Sequence, residues 1–449
     1  MNATATLDVP ARDDRDSAYA WYVVALLTIA YCVAFIDRQV LNLLVDPIKQ
    51  DFALTDVEIS LLQGLAFMGA YIVFGPPFGR WSDTGHRRNI LVLGVVIWSV
   101  FTVLCGLAPG YWTLFGARAG VGAAEACLIP AAWSLISDYF TREKLARAMS
   151  IFLMGPYLGG GLALIFGGLV IGSTEAIGAA VPALDAYSGW RLTFILVGLP
   201  GVLIALWLLT VREPPRRAIA SGAVEDRRFS MREVAAFLWA GRAFFLRFYA
   251  GMSLIIIVLY ALPAWMPAYL MRAHGADAAS VGVQYGALVL VMGSLGVLGG
   301  PVLGRWLSAR GYDDTPVRVA GFAALALVPF CVALAFAPTA GAALALAAAA
   351  TFCYSFPQAM AASALQFAAP NRMRGIVSSI YVFLASVMGL GIAPTLVALL
   401  TDTVFRDPNR VGESLAIVSS VAGALATYLI WRALPHYRRA VANTGAGSG

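Results

Sequence analysis

The chain has 449 residues, of which 60% are apolar and only 12% charged, with a net charge of +6. That balance lies outside the range of soluble globular proteins. The basic residues are dispersed between apolar runs rather than gathered in one patch with stacking aromatics, which excludes a nucleic-acid binder.

Residues 1–18 form a polar N-terminal tail containing Asp8, Arg12, Asp13, Asp14, Arg15 and Asp16. They lack the short apolar core of a cleavable signal, so the first helix is expected to be permanent. Apolar runs follow near residues 20–45, 59–80, 89–108, 112–138, 145–171, 190–211, 243–271, 279–305, 317–337, 340–368, 373–400 and 412–433. Each is long enough to cross about 30 Å of hydrocarbon, and the pattern predicts an all-α integral membrane protein with twelve transmembrane helices. The longest polar interval, from Arg212 to Arg242, contains Pro214-Pro215 and falls between the sixth and seventh runs. It divides the chain into six-helix halves, residues 19–212 and 243–434, with a linker at 213–242 and a tail at 435–449. Arg232 to Leu238 fits an amphipathic surface helix or a plain solvated linker. The small, polar stretch from Ala440 to Gly449 is expected to lack regular structure.

With the amino terminus placed in the cytoplasm, 24 of the 31 Lys and Arg residues fall on the cytoplasmic side. Five fall outside (Lys49, Arg191, Arg272, Arg406 and Arg410), and Arg38 and Arg118 lie within helices. This asymmetry puts both termini in the cytoplasm. The five cysteines all lie in apolar runs at no metal-ligand spacing and read as small buried residues. No metal or cofactor is expected.

The halves echo one another. Gly75-Pro76-Pro77-Phe78-Gly79-Arg80-Trp81 recurs as Gly300-Pro301-Val302-Leu303-Gly304-Arg305-Trp306, and Pro130, Phe140 and Arg147 align with Pro357, Phe367 and Arg374. A half-length period in a membrane chain points to two parallel repeats and a transporter. Asp37 and Arg38 in the first helix, and Arg118 and Glu125 in the fourth, lie where a lone charge costs about 2.5–3.5 kcal/mol or more, so each requires a partner or a wet cavity. Arg118 and Glu125 share a helix face but stand roughly 10 Å apart along the axis, too far to pair with each other. The spacing predicts Asp37 with Arg118 and Arg38 with Glu125. The second half offers aromatic and amide groups instead, with Tyr260, Trp265, Tyr354, Gln358 and Tyr381 as cavity candidates.

The loop Gly79-Arg80-Trp81-Ser82-Asp83-Thr84-Gly85-His86-Arg87-Arg88 resembles the signature loop of the major facilitator superfamily. Gly79, Asp83, Gly85, Arg87 and Arg88 fall on the pattern, while Thr84 stands where that family usually has a basic residue. On this reading Gly79 permits close helix approach, Asp83 caps a helix or pairs with Arg, and Gly85 allows a tight turn. Closer still is the Spinster branch, particularly its bacterial members. That likeness rests on Phe35-Ile36-Asp37-Arg38-Gln39-Val40-Leu41, Ile59-Ser60-Leu61-Leu62-Gln63-Gly64, Ala117 to Ala126 and Ser134 to Phe140. The neighbouring organic-anion symporters for sugar acids share the Asp-Arg and Arg/Glu chemistry. The resemblance implies the major facilitator fold in the bacterial inner membrane, with Asp37 and Glu125 carrying protons and Arg38 and Arg118 organising the site. Gly155-Pro156-Tyr157-Leu158-Gly159-Gly160-Gly161-Leu162 resembles an element of proton antiporters, which implies a hinge at Gly155, Pro156, Gly159 and Gly160 and tilts the reading towards export.

The expected function is proton-coupled transport, by alternating access, of an amphipathic lipid-like molecule of lysophospholipid or sphingoid type. The alternative is a sugar-acid/proton symporter, disfavoured because the second half is short of polar groups. A receptor would need a soluble output domain and an enzyme a catalytic cluster, and the chain has neither. The expected partners are protons, the amphipathic substrate and membrane lipids, with the chain acting as a monomer.

Overall fold

A computed structural model describes residues 16–174, 176, 187–214, 231–370 and 373–445. Most of the N-terminal tail, linker residues 215–230 and the last four residues lie outside the described residues. Among the described residues twelve helices are long and apolar enough to cross a membrane: α1 (Ala18–Leu43), α2 (Asp56–Thr84), α3 (Arg87–Gly106), α4 (Tyr111–Tyr139), α5 (Arg147–Gly172), α6 (Gly189–Leu208), α7 (Arg242–His274), α8 (Ala278–Ser308), α9 (Thr315–Leu334), α10 (Ala340–Ala368), α11 (Arg374–Phe405) and α12 (Pro408–Ala442). Among the described residues there is no strand. An even number of spans brings both chain ends to one face, the terminal face, with the distal face opposite.

Several spans are broken where the chemistry demands it. Pro130 and Pro357 have no N–H for the carbonyl one turn earlier. Accordingly α4 divides into Tyr111–Glu125 and Leu128–Tyr139, and α10 into Ala340–Ser355 and Gln358–Ala368. These two breaks occupy equivalent places in the repeat. In α1 the α-helical stretch ends at Gln39 and tightens into the 3-10 turn Val40–Leu43. In α2 it breaks at Gly64, whose Cα presses on the Leu390 carbonyl of α11 so closely that a Cβ has no room.

One expectation changes. Ala440 to Gly445 is not irregular, because the last helix runs on to Gly445. In the linker, a helix covers Met231–Ala240, with Val234 buried and Trp239 68% exposed beside Arg242.

The halves meet along the distal half of the membrane. Gly161 and Gly168 of α5 cross Gly286 and Gly282 of α8 backbone to backbone. Eleven residues beyond Gly64, about three turns on and so on the same helix face, Gly75 faces open space, as does Gly79. The close approach expected at Gly79 is therefore absent in this conformation, because the seam has already parted there. Of the four expected hinge residues, Gly155 and Gly159 pack on α1 within their own half, and Pro156 and Gly160 line the central cavity. The closest backbone approach to the other half falls to Gly161 and Gly168.

Candidate transport site

The intramembrane charges gather at the breaks of α1, α2 and α4. Arg38 is the penultimate residue of the α-helical part of α1, and Glu125 closes the first segment of α4. Arg38 Nη2 donates to Glu125 Oε2 at 2.6 Å, and Glu125 is 1% exposed. The guanidinium carbon lies 4.5 Å from the Phe35 ring centroid and 4.3 Å from that of Phe67. This aromatic sleeve favours the cation once it is desolvated.

The pairing of Asp37 with Arg118 expected from spacing does not form. Arg118 instead donates to backbone carbonyls: Nη1 to Asp37 at 3.0 Å, Nη2 to Arg38 at 3.4 Å and Nε to Leu62 at 3.4 Å. The reason lies in the helix ends. The last carbonyls of an α-helical stretch have no partner within it, and two such ends, at Gln39 and Gln63, converge on one guanidinium. Arg118 is buried there and serves as their common cap. Asp37 Oδ2 meets the Thr102 hydroxyl at 3.2 Å, and Oδ1 has no hydrogen-bond partner.

Beside this cluster, between the halves, is a cavity of about 190 Å³. Phe35, Leu164, Ile256, Leu259, Pro263 and Val289 supply most of its apolar wall, while Gln39, Tyr157, Tyr260, Tyr354, Ser355 and Gln358 supply polar groups. Tyr260 lies within electrostatic reach of Arg38, which brings the second half to the charged cluster. Two of the aromatic candidates sit elsewhere. Trp265 is fully buried and donates through Nε1 to the Pro394 carbonyl at 2.9 Å, and Tyr381 stacks on Tyr249.

The signature loop clamps the terminal face of the first half. Arg87, 1% exposed, donates to Glu213 Oε1 at 2.7 Å, to Asp138, to Ser134 Oγ at 3.0 Å and to the Pro214 carbonyl at 3.0 Å. The Arg88 backbone N–H adds a bond to Glu213 Oε2 at 3.0 Å. Gly85 has φ −90° and ψ 176°, so a left-handed turn is not its reason. A Cβ there would stand 2.8 Å from the Trp81 ring, and Gly is required for that contact. The second half has its own clamp with reversed polarity. Asp314, also 1% exposed and 227 positions after Arg87, accepts from Arg318 Nε at 2.9 Å and Arg438 Nε at 2.8 Å. Arg438 follows Glu213 by 225 positions, which is the repeat offset again.

A distal lock was not foreseen, because its members read as isolated loop charges. Arg272 of α7 donates to Asp56 Oδ2 and Oδ1 at 2.8 and 2.9 Å and to Asp46 Oδ1 at 2.8 Å, and Lys49 Nζ reaches Asp56 Oδ1 at 2.7 Å. Asp402 of α11 accepts from the Val57 N–H at 2.9 Å, and Ser60 bonds Thr395 at 3.1 Å. Every ion pair between described residues that joins the halves lies at this face. Arg272→Ala is expected to loosen the lock. A cysteine placed at Thr395 should then react faster with a membrane-impermeant maleimide, and an unchanged rate would remove Arg272 from the lock.

Comparison with known proteins agrees with this architecture. The chain is 27% identical over 443 residues to an MFS-type efflux pump of Mycolicibacterium smegmatis, covering 97% of each. It is 27% identical over 454 residues to a probable L-galactonate transporter of Escherichia coli, covering 96% of this chain and 94% of that protein. The crystal structure of a bacterial homologue of the human lysosomal transporter Spinster, inward-facing and occupied, superposes with a TM-score of 0.75 at 27% identity, covering 94% and 97% of the two chains. The family model described as Major Facilitator Superfamily matches residues 27–394. Twelve spans in two halves around a central cavity, with that match over most of the chain, make this protein a member of the Major Facilitator Superfamily, of Spinster type.

Proposed function

We propose that the protein is a proton-coupled carrier of amphipathic molecules with an anionic or zwitterionic head, of lysophospholipid or sphingoid type, working by alternating access. The observation that carries this reading is the buried Arg38–Glu125 pair beside a largely apolar cavity. Arg38 stays charged in any protein setting, so an anionic head that takes Arg38 strands Glu125. A stranded buried carboxylate is costly and binds a proton. Proton and substrate movement then become linked.

Asp37 is the second proposed proton carrier. Thr102 has a single hydroxyl proton and two acceptors in reach, the Trp98 carbonyl at 2.9 Å and Asp37 Oδ2 at 3.2 Å. A proton on Asp37 supplies the missing donor. The Lys and Arg asymmetry supports cytoplasmic termini in a bacterial inner membrane. The galactonate transporter supports a second reading, an organic-anion symporter; the apolar cavity wall favours the lipid-like substrate over it.

Purified protein in liposomes, tested with a lysolipid panel and a sugar-acid panel, decides between the two. Lysolipid movement that responds to an imposed pH gradient is the expected result. Movement of sugar acids alone would replace the lipid reading, and indifference to pH would remove proton coupling.

A further inference from the structure

The cavity and the distal seam are joined by three amide side chains. Gln39, which lines the cavity, accepts through Oε1 from Asn42 Nδ2. Asn42 Oδ1 accepts from Gln63 Nε2 at 3.2 Å, and the same Nε2 donates to the Ala264 carbonyl of α7 at 3.0 Å. Asn42 and Gln63 are 5% and 4% exposed. Only the last of these bonds crosses between the halves. Asn42 stands on the 3-10 turn that ends α1 and Gln63 at the break of α2, so both sit on backbone that has already left regular helix. Gln63 also keeps one buried oxygen, Oε1, without a partner. Its amide is thus held on the donor side alone and has an unmet acceptor to satisfy by turning.

We propose that Gln39, Asn42 and Gln63 form an amide relay through which occupation of the cavity releases the distal seam. A polar group that engages Gln39 draws its oxygen away from Asn42. Asn42 then turns, Gln63 loses its orienting acceptor, and the bond to the Ala264 carbonyl breaks. The neighbouring seam contacts, Ser60 with Thr395 and Val57 with Asp402, lie one to two turns further along α2 and lose an anchor with it. Asn42 is a positioning residue in this scheme, because its side-chain amide bonds Gln39 and Gln63 of its own half, and the bond across the seam is made by Gln63. The relay rests on alternation of the halves and holds for any substrate with a polar group at Gln39.

The test uses two cysteine reporters in full-length protein with Cys32, the partly exposed native cysteine, replaced by Ala. Thr395→Cys reports the distal seam, and Gly75→Cys reports the terminal side, where the seam is already open. Asn42→Leu and Gln63→Met keep shape but break the relay. Each is expected to raise the maleimide reaction rate at position 395 about fivefold, the population change that follows from one lost hydrogen bond. Each should lower the rate at position 75, since a shift in population closes one side as it opens the other. The double variant should match the singles rather than multiply them, because both act through one bond. Asn42→Ala should give the same pattern and serves where leucine impairs folding. An unchanged rate at 395 in the Asn42 variants, a rise at both reporters, or multiplicative effects in the double variant would each overturn the relay.

Discussion

Replacing Glu125 with Gln is expected to abolish accumulation driven by a pH gradient while leaving substrate exchange intact. The amide keeps the shape and an oxygen for Arg38, whose Nη2 lies 2.6 Å from Glu125 Oε2 in the native site, but it cannot bind and release a proton. One pH unit supplies about 1.4 kcal/mol per proton, a tenfold accumulation ratio. The variant should bring that ratio to one for protons carried at this site. Asp37→Asn is the comparison. Asp37 bonds Thr102 rather than an arginine side chain, so its loss breaks no side-chain ion pair, and the Arg38–Glu125 pair remains in place. Reconstituted protein in liposomes, with uptake measured against an imposed gradient and exchange measured without one, separates the two activities. Undiminished gradient-driven accumulation by the Gln variant would take the proton-coupling role from Glu125.

Helix number and the two halves were legible in the sequence because hydropathy and the positions of Gly and Pro record them directly. The pairing of Arg38 with Glu125 was legible too, since residues seven apart on one helix face must find partners on another helix. The position of Arg118 was not. Residue spacing assumes a continuous helix, whereas α1 and α2 both end their α-helical stretches inside the membrane and expose carbonyls that attract the guanidinium. Orientation about the helix axis also decides which aromatics face the cavity. Tyr260 and Tyr354 do, but the Trp265 indole turns to the Pro394 carbonyl. The lock of Arg272 with Asp46 and Asp56 joins residues more than 210 positions apart in loops and helix ends, where no periodicity links them.

Arg87→Met is expected to destabilise the first half by about 1.5–3 kcal/mol, the worth of hydrogen bonds to charged groups that keep some access to water. Arg87 is nearly inaccessible, and its side chain ties the loop before α3 to Ser134 and Asp138 at the end of α4 and to Glu213 and Pro214 after α6. Removing it strands Asp138 and Glu213 together. Burial pushes the Glu213 carboxyl upward, yet the bonds from the Arg88 and Arg87 backbone N–H groups and from the Arg87 side chain hold it below its ordinary value of 4.5. A carboxyl lowered in the folded state contributes stability above its unfolded value and loses it as pH falls through the folded one. The native clamp should therefore weaken only below about pH 4.5, and Glu213→Gln should remove the share of acid sensitivity that Glu213 contributes. Asp314 gives the mirror case. Burial raises it, but Arg318 and Arg438 hold its carboxyl below the usual range, so the second half has a clamp with the same acid dependence and opposite central charge. Thermal unfolding of detergent-solubilised protein between pH 4 and 8 reads both clamps. Arg87→Met should lower the midpoint by several degrees at neutral pH, whereas Glu213→Gln should do so less, because an amide still accepts from Arg87. Equal midpoints for Arg87→Met and the native protein at neutral pH would show that the loop is held by its backbone alone.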